Sequence, residues 1–428
     1  MGDSGQNSAI VSAPSQEGDS QNSVLDQQAE AYVKLVLAVG CHQSDYVDAY
    51  YGPANWRSQQ RKLPLSLLLQ TGKTIGVQLA VLSQQPLSRL QTQRLSFLQI
   101  QLDSVMFYIE QLQGKQVSFR QESAGLYDAL APECQLSDFA VTLAKLDKLV
   151  PGSGDLRQRF EAYRAQFIVP SQAVPELFNA CVEQARKLTR QHISLPETES
   201  FKIEYVTDQI WTAYNWYQGQ YKSVIQLNQD QPLYLERALE LASHEGYPGH
   251  HVFNLLQEQS LVKQKGWIEY AIYPLFSPIS FLSEGSANYA LAMIMTAEQR
   301  LQFEHHVLLP IAGISADIKH YHKVMAVYKQ LAYLENYVCQ KLTDGYIDVA
   351  TAETLLVRYG LYSDSRAAQR VRFYQANRAY VINYNFGEQS VEKWVIEQQK
   401  QGVGRWQAFE ALLSGPLSAS QIIAGISR

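Results

Sequence analysis

Apolar residues recur at three- and four-residue steps through the first half of the chain, from Val24 to about Leu195. This spacing places them on one face of an α-helix and predicts a helical N-terminal part. One such stripe ends at Gly114, which predicts the end of its helix, and consists of Leu95, Leu98, Leu102, Val105, Ile109 and Leu112. Similar stripes predict helices over 25–39, 137–149, 155–167 and 172–192.

Apolar and polar residues alternate over 201–205 and 221–227. A period of two is typical of strands, so both segments are predicted to be extended. The second precedes a helix whose start is marked by Asp230 as a cap and by Pro232 in the first turn.

Helical spacing returns from Pro278 onward and predicts helices over 279–295, 297–308, 313–343, 348–358 and 363–378. We therefore predict a mainly α-helical protein with a small antiparallel sheet. Residues 1–23 are polar and have little to bury, which predicts a disordered tail. Residues 24–195 form the predicted N-terminal helical part, and residues 196–428 the part with the sheet and the C-terminal helices. We expect these two parts to pack as one compact unit.

The 428-residue chain has a small formal net charge of −5, whereas a nucleic-acid-binding protein has a basic face. We therefore expect neither a nucleic-acid nor a membrane partner. Its cysteines form no CxxC pair, which excludes a ribbon-type zinc site; they are Cys41, Cys134, Cys181 and Cys339. No apolar run reaches the roughly 18 residues of a spanning helix, and we find no signal peptide. These observations predict a cytoplasmic protein.

The most informative motif is Ser-His-Glu-Gly-Tyr-Pro-Gly-His-His at residues 243–251. Imidazole nitrogens bind Zn²⁺ well, and a carboxylate beside a ligand can take a proton from water. In the common zinc-protease pattern a second histidine follows the first by four residues, where this chain has Pro248. This proline predicts a kink or an end of the helix, which would bring His250 or His251 back towards His244. We favour His250, with His251 as the alternative.

Glu284 is the best candidate for a third ligand, because it is a lone carboxylate early in an otherwise apolar helix. An unpaired buried charge is costly, so this carboxylate needs a partner. That partner is either a metal ion or a core Arg or Lys. Its neighbours Gly285, Ser286 and Ala287 are small enough to let another helix approach closely. Three protein ligands would leave the fourth zinc position open for water.

With these motifs the chain resembles a large, mainly bacterial family of domains of unknown function. The resemblance rests on the His-Glu-x-x-Pro-Gly-His-His motif at 244–251 and the Glu-Gly-x-Ala-x-Tyr motif at 284–289. Segments 46–53 and 213–219 are also similar to one branch of the family, while Ser286 replaces its common Trp. The family is similar to gluzincin metallopeptidases. This implies a zincin-like helical architecture with a deep cleft, in which two His and one Glu bind zinc.

The resemblance also implies a zinc-dependent peptide hydrolase, oligopeptidase or carboxypeptidase-like, with a peptide as its partner. Glu245 would be the general base that activates the metal-bound water. We expect Tyr380 and Tyr384 to assist at the oxyanion, and Arg378 to bind a substrate carboxylate. The strand at 221–227 would pair with an extended substrate around Tyr221, Ser223 and Ile225.

Two departures from the usual motifs keep another function open. Pro248 occupies the common ligand position, and Ser286 stands where the family has Trp. A non-catalytic protein of the same fold, binding a peptide or a partner, would carry the same motifs. Hydrolysis of a non-peptide amide is a further alternative.

Overall fold

The computed structural model describes residues 16–426 of the chain, with side chains from residue 22. Within this range the protein is mainly helical with small sheets, which confirms the predicted class. Most of the predicted tail at 1–23 lies outside the described residues, and the first helix already begins at Gln16. The division between 24–195 and 196–428 stays a prediction.

Helices dominate the N-terminal half. The helix Arg89–Leu112 begins at a capping box, in which the side chains of Ser88 and Gln91 each accept a hydrogen bond from the other's backbone N–H. The predicted apolar stripe from Leu95 to Ile109 is buried on this helix. The helices are α1 (Gln16–Gly40), α2 (Ala54–Ser58), α3 (Leu65–Leu82), α4 (Arg89–Leu112), α5 (Phe119–Tyr127), α6 (Leu136–Leu149), α7 (Leu156–Ala165) and α8 (Val174–Arg190). The apolar faces of α1, α3 and α4 share one core.

Five strands form two sheets among the described residues: β1 (Val47–Tyr50), β2 (Ser200–Val206), β3 (Ala213–Gly219), β4 (Lys222–Asn228) and β5 (Ile272–Pro274). β1 pairs antiparallel with β5. The larger sheet has the order β2-β4-β3, with β3 antiparallel and β2 parallel to the central β4. The predicted strands are β2 and β4. β3 is not among the predicted strands, because aromatic residues on both of its faces hide the period of two.

The C-terminal half is again helical: α9 (Leu235–Leu241), α10 (His250–Gln257), α11 (Pro278–Ile294), α12 (Ala297–Phe303), α13 (Leu309–Ala312), α14 (Ile318–Tyr328), α15 (Leu334–Thr343), α16 (Val349–Gly360), α17 (Asp364–Asn377), α18 (Ile382–Lys400), α19 (Arg405–Ser414) and α20 (Ala419–Ile426). The predicted helix at 313–343 is two helices, separated by a 3₁₀ turn at Lys329–Leu331. The predicted start at Asp230 is wrong. α9 begins later, and the Asp230 carboxylate instead accepts a hydrogen bond from the Asp208 N–H.

Helices α11 and α18 approach each other at two glycines. A Cβ on Gly285 would lie 2.6 Å from the carbonyl carbon of Gly387, and one on Gly387 would lie 3.0 Å from the Gly285 Cα. Any larger residue would push the helices apart. The expected close approach of a second helix is therefore present. The contact lies at Gly285, so α11 is held in position directly beside Glu284.

Candidate metal centre

The backbone between α9 and α10 folds back sharply. α9 continues into a π-helical turn at Ala242–Gly246, the chain is extended at Tyr247, and α10 begins at His250. The Gly249 N–H donates to the Ser243 carbonyl over 2.9 Å. A Cβ on Gly249 would lie 1.9 Å from the carbonyl oxygen of residue 244, so this turn requires glycine. The interruption expected at Pro248 thus brings the start of α10 back beside the end of α9.

Three side-chain donors converge at this turn. The Nε2 atoms of His244 and His250 are 3.1 Å apart. Glu284 Oε2, carried by α11, lies 3.4 Å from the first and 3.6 Å from the second. Glu245 also brings a carboxylate oxygen into the group, within 4.8 Å of both imidazoles.

The separations of the three donors match those of ligands around one zinc ion. With ligand bonds of about 2.0–2.1 Å, tetrahedral geometry places two ligand atoms about 3.3 Å apart. Glu284 Oε2 is buried and has no hydrogen-bond partner within the described residues. The two imidazole nitrogens lie 3.4 and 3.6 Å from it, so the buried charge is stabilised either by a protonated histidine or by a cation bound between the three donors. The residues present therefore fit the metal.

Neighbouring residues orient two of these donors. Tyr380 donates its hydroxyl hydrogen to Glu284 Oε1 over 2.7 Å. The Nδ1 atom of His250 lies 2.9 Å from Ser283 Oγ. Hydrogen bonds of this kind fix the orientation of metal ligands and tune their affinity. Because these hydrogen bonds use Glu284 Oε1 and His250 Nδ1, the atoms that face the cluster, Glu284 Oε2 and His250 Nε2, are not used by them.

The charges of the cluster reinforce one another. Burial alone would raise the pKa of Glu284, but the two histidines hold this pKa well below its usual range. Burial alone would lower the pKa of His250, but the carboxylates of Glu284 and Glu245 raise it to about 9. The pKa of Glu245 is raised by burial, against the opposing effect of the histidines. A raised pKa makes a carboxylate a better acceptor for a proton.

His251 faces away from this cluster, and the alternative that it binds the metal is wrong. Its side chain is fully buried, with Nδ1 2.8 Å from Ser223 Oγ and Nε2 3.2 Å from Glu199 Oε2. Both ring nitrogens are therefore occupied. Successive helical residues point about 100° apart, so His250 and His251 cannot face the same site.

Glu199 is the centre of a buried polar network that no sequence pattern predicts. Its carboxylate accepts hydrogen bonds from Arg186 at 2.6 Å, Arg190 at 2.8 Å and the Tyr247 hydroxyl at 2.5 Å. Burial alone would raise the pKa of Glu199, but these donors together with His251 lower it to about 2. The network holds the residues on either side of the turn at Pro248 and Gly249.

One predicted substrate-binding residue, Arg378, and one predicted catalytic residue, Tyr380, are bonded to other side chains. The Arg378 guanidinium donates to Glu122 over 2.6 Å, so its charge is already neutralised. Tyr380 is bonded to Glu284, which makes it an orienting group rather than a free oxyanion donor. Tyr384 differs from both, since its hydroxyl has no hydrogen-bond partner in the described part of the chain and its side chain lines a cavity beside the cluster.

The prediction that the strand at 221–227 pairs with substrate is also wrong. β4 is the central strand, so its backbone groups already pair with β2 and β3. Ser223 and Ile225 are buried, and Tyr221 lies in the tight turn before β4 with a φ of 62°. The sheet edge beside the cluster is β3, where the Asn215 side-chain amide donates to the Glu245 carbonyl over 2.7 Å.

The cluster opens into a cavity of about 2450 Å³. Its wall includes β3 and part of β1. The two strands are joined there by a hydrogen bond that the Tyr214 hydroxyl donates to Asp48. Neither residue has a predicted role, although both lie in the segments, 46–53 and 213–219, that resemble one branch of the family. Asp48 is thus a third carboxylate near the metal centre, beside Glu245 and Glu284.

Comparisons with known proteins give a structure of similar fold and no matching family. No protein-family model matches the chain, and no curated protein matches it. It is similar to a crystal structure described as that of "the putative lipoprotein from Colwellia psychrerythraea", with a TM-score of 0.54 and 13% identity. The match covers 85% of this chain and 69% of that chain. At this identity the likeness establishes a shared fold and carries no activity across.

The prediction of a cytoplasmic protein is contradicted by the same finding, because the structural relative is described as a lipoprotein. The prediction rested on finding neither a signal peptide nor an apolar run of spanning length. Among the described helices, α3 is long and apolar enough to cross a membrane by length and composition, although core helices pass the same test. It packs its buried positions against α1 and α4.

Proposed function

We propose that the protein is a zinc-dependent peptide hydrolase with a zincin-like architecture. The observation that carries the proposal is the convergence of His244, His250 and Glu284, with one buried Glu284 oxygen that makes no hydrogen bond to the described residues. These three residues would hold the ion. When bound, Zn²⁺ would polarise a substrate carbonyl and lower the pKa of water.

Glu245 is the proposed general base. Its carboxylate lies beside the two histidines and makes no hydrogen bond with any described residue, so it is free to exchange a proton. It would take a proton from the attacking water and deliver it to the leaving amine nitrogen. Its raised pKa suits both steps, because each requires a group that is neither strongly acidic nor strongly basic.

Tyr384 is the proposed donor to the substrate oxygen. Its hydroxyl has no hydrogen-bond partner among residues 22–426, and its pKa is raised by burial and by the nearby charge of Glu284, which keeps the phenol protonated. A preorganised O–H donor stabilises negative charge that develops on a carbonyl oxygen. Tyr380 cannot take this role while it is bonded to Glu284.

The edge of β3 is the proposed binding surface for an extended peptide. β3 pairs with β4 on one side only and lines the cavity. A peptide could add to this edge through backbone hydrogen bonds, as in other cases of strand addition. The cavity of about 2450 Å³ exceeds the roughly 300–1,000 Å³ typical of small-molecule sites, which favours an oligopeptide.

The test combines metal analysis with one conservative variant. Protein purified without chelator should contain about one zinc per chain. Glu245→Gln should retain this zinc and lose at least about 100-fold in the turnover of a peptide library. Glu161→Gln, an exposed position on the cavity wall, is the matched control and should leave turnover unchanged. Metal-free protein, or full activity in Glu245→Gln, would contradict the proposal.

A further inference from the structure

Asp48 occupies an irregular position in β1. The pairing with β5 runs from Val47 opposite Pro274 directly to Ala49 opposite Tyr273, so Asp48 is the extra residue of a β-bulge. A bulge leaves one residue unpaired and re-aims its side chain, and bulges are frequent next to active sites. Here the re-aimed side chain lines the same cavity as the donor cluster.

Tyr214 fixes one oxygen of this carboxylate and leaves the other free. Its hydroxyl donates to Asp48 Oδ1. Asp48 Oδ2 makes no hydrogen bond within residues 22–426. Unlike Glu284 Oε2, it is not one of the fully buried oxygens that lack a hydrogen bond. The free oxygen can therefore be reached from the cavity. The tyrosine comes from β3, the proposed substrate edge, and precedes Asn215, whose side chain contacts Glu245, so the pair lies beside a peptide bound at that edge.

The charges around the cavity favour a positively charged ligand at this point. Burial raises the pKa of Asp48 to about 6, against the opposing effects of Tyr214 and His250, so the group is ionised at neutral pH. Arg164, Arg370 and Arg378 on the cavity wall are paired with Glu236, Glu335 and Glu122, whereas Arg57 and Arg366 line the cavity without an ion pair among the described residues. At Asp48 itself the free carboxylate oxygen is negatively charged, and it would attract a cation and repel a substrate carboxylate.

We propose that Asp48, held by Tyr214, binds a primary ammonium group of the substrate, either the N-terminus of a peptide or a lysine side chain. This inference rests on the proposed peptide hydrolase function and names its substrate class. An ammonium is a compact charge with three donors and can use the one free oxygen. A guanidinium binds best to two carboxylate oxygens at once, and here Tyr214 already occupies one of them.

The experiment compares three versions of one cleavable peptide: with a free N-terminus, with an acetylated N-terminus, and with its single lysine replaced by norleucine. In the wild type, one of the two changes should lower kcat/KM by roughly 10- to 100-fold, the range for one charge-assisted hydrogen bond. Loss on acetylation identifies the N-terminus as the ligand, and loss with norleucine identifies lysine. In Asp48→Asn the unmodified peptide should fall to the level of the modified one.

Three further variants separate charge from structure. Asp48→Asn keeps an acceptor for Tyr214 and loses only the charge; Asp48→Ser removes the same charge if the first variant does not fold. Tyr214→Phe keeps the charge and should retain the preference with a smaller ratio. Asp45→Asn removes a charge from an exposed position on the same cavity wall and should leave the preference unchanged.

Binding measurements keep this inference distinct from the proposed function. Calorimetric titration of Glu245→Gln with the same peptides reports the Kd ratio without turnover. If no peptide is cleaved by the wild type, the hydrolase proposal fails while the Kd ratio still decides the role of Asp48. Equal Kd and kcat/KM for all three peptides, or an unchanged preference in Asp48→Asn, would overturn the inference.

Discussion

The two sides of the first turn of α10 use their polar atoms in opposite ways. On one side, His250 meets His244 and Glu284, and one Glu284 oxygen makes no hydrogen bond in the described part of the chain. On the other side, His251 has both ring nitrogens bonded, and Glu199 accepts bonds from several donors. Free buried lone pairs mark a site that a ligand completes, whereas a saturated network supports the backbone. Two adjacent histidines therefore have different functions.

The largest expected effect comes from changing these two histidines separately. His250→Ala should lower zinc affinity by more than about 100-fold, because the loss of a ligand exceeds the 10- to 100-fold cost of losing a ligand's hydrogen-bond partner. His251→Ala should keep zinc and instead lower the free energy of unfolding by about 2 kcal/mol, since buried groups lose their partner. Competition with a chromogenic chelator and urea unfolding of metal-free protein measure the two quantities. Equal loss of zinc affinity in both variants would contradict the different roles of His250 and His251.

The saturated side is tested by Glu199→Ala. This change leaves the Tyr247 hydroxyl and the His251 ring without their acceptor, and should lower the free energy of unfolding by about 3 kcal/mol. The matched control is Glu204→Ala on the exposed face of β2, which should change stability by less than about 0.5 kcal/mol. Urea unfolding measures both variants. Similar values for the two would mean that the Glu199 network adds no stability.

Two tyrosines sharpen the comparison on the open side. Tyr380→Phe removes the hydrogen bond that orients Glu284, and should lower zinc affinity by about 10-fold. Tyr384→Phe should leave zinc affinity unchanged and slow hydrolysis, because its hydroxyl bonds to no described residue and is free for substrate. Zinc titration and peptide turnover are measured on both variants. A comparable loss of zinc in Tyr384→Phe would show that both tyrosines support the metal.

The last prediction concerns the pH dependence of stability, which should change gradually. The pKa of Glu199 is about 2 in the folded protein, against an ordinary value of 4.5. A depressed folded pKa gives stability that is fully present above pH 4.5 and is lost as the pH falls towards 2. The slope approaches about 1.4 kcal/mol per pH unit in this window. Subtracting the unfolding curve of metal-free Glu199→Gln from that of the wild type isolates this contribution, and identical curves would refute it.

The sequence predicted well where local patterns decide structure. The stripe on α4, the alternation in β2 and β4, and the interruption at Pro248 each depend on neighbours within a few residues. Predictions failed where a partner distant in sequence decides the outcome. Alternation identifies β4 as a strand but cannot place it between two others. The sequence suggests that Arg378 is a free cation, because nothing near it in the chain indicates its ion pair with Glu122.

The amino-acid sequence by itself determined the helical class, the turn that needs Gly249, and a set of residues able to bind zinc, because those follow from backbone geometry and side-chain chemistry. Only the tertiary structure decided which of them meet. The packing of α11 on α18 at Gly285 and Gly387 sets where Glu284 points. The Glu199 network binds His251 and leaves His250 to the cluster. A shared site requires distances of a few ångströms between distant segments, and those distances are fixed by packing.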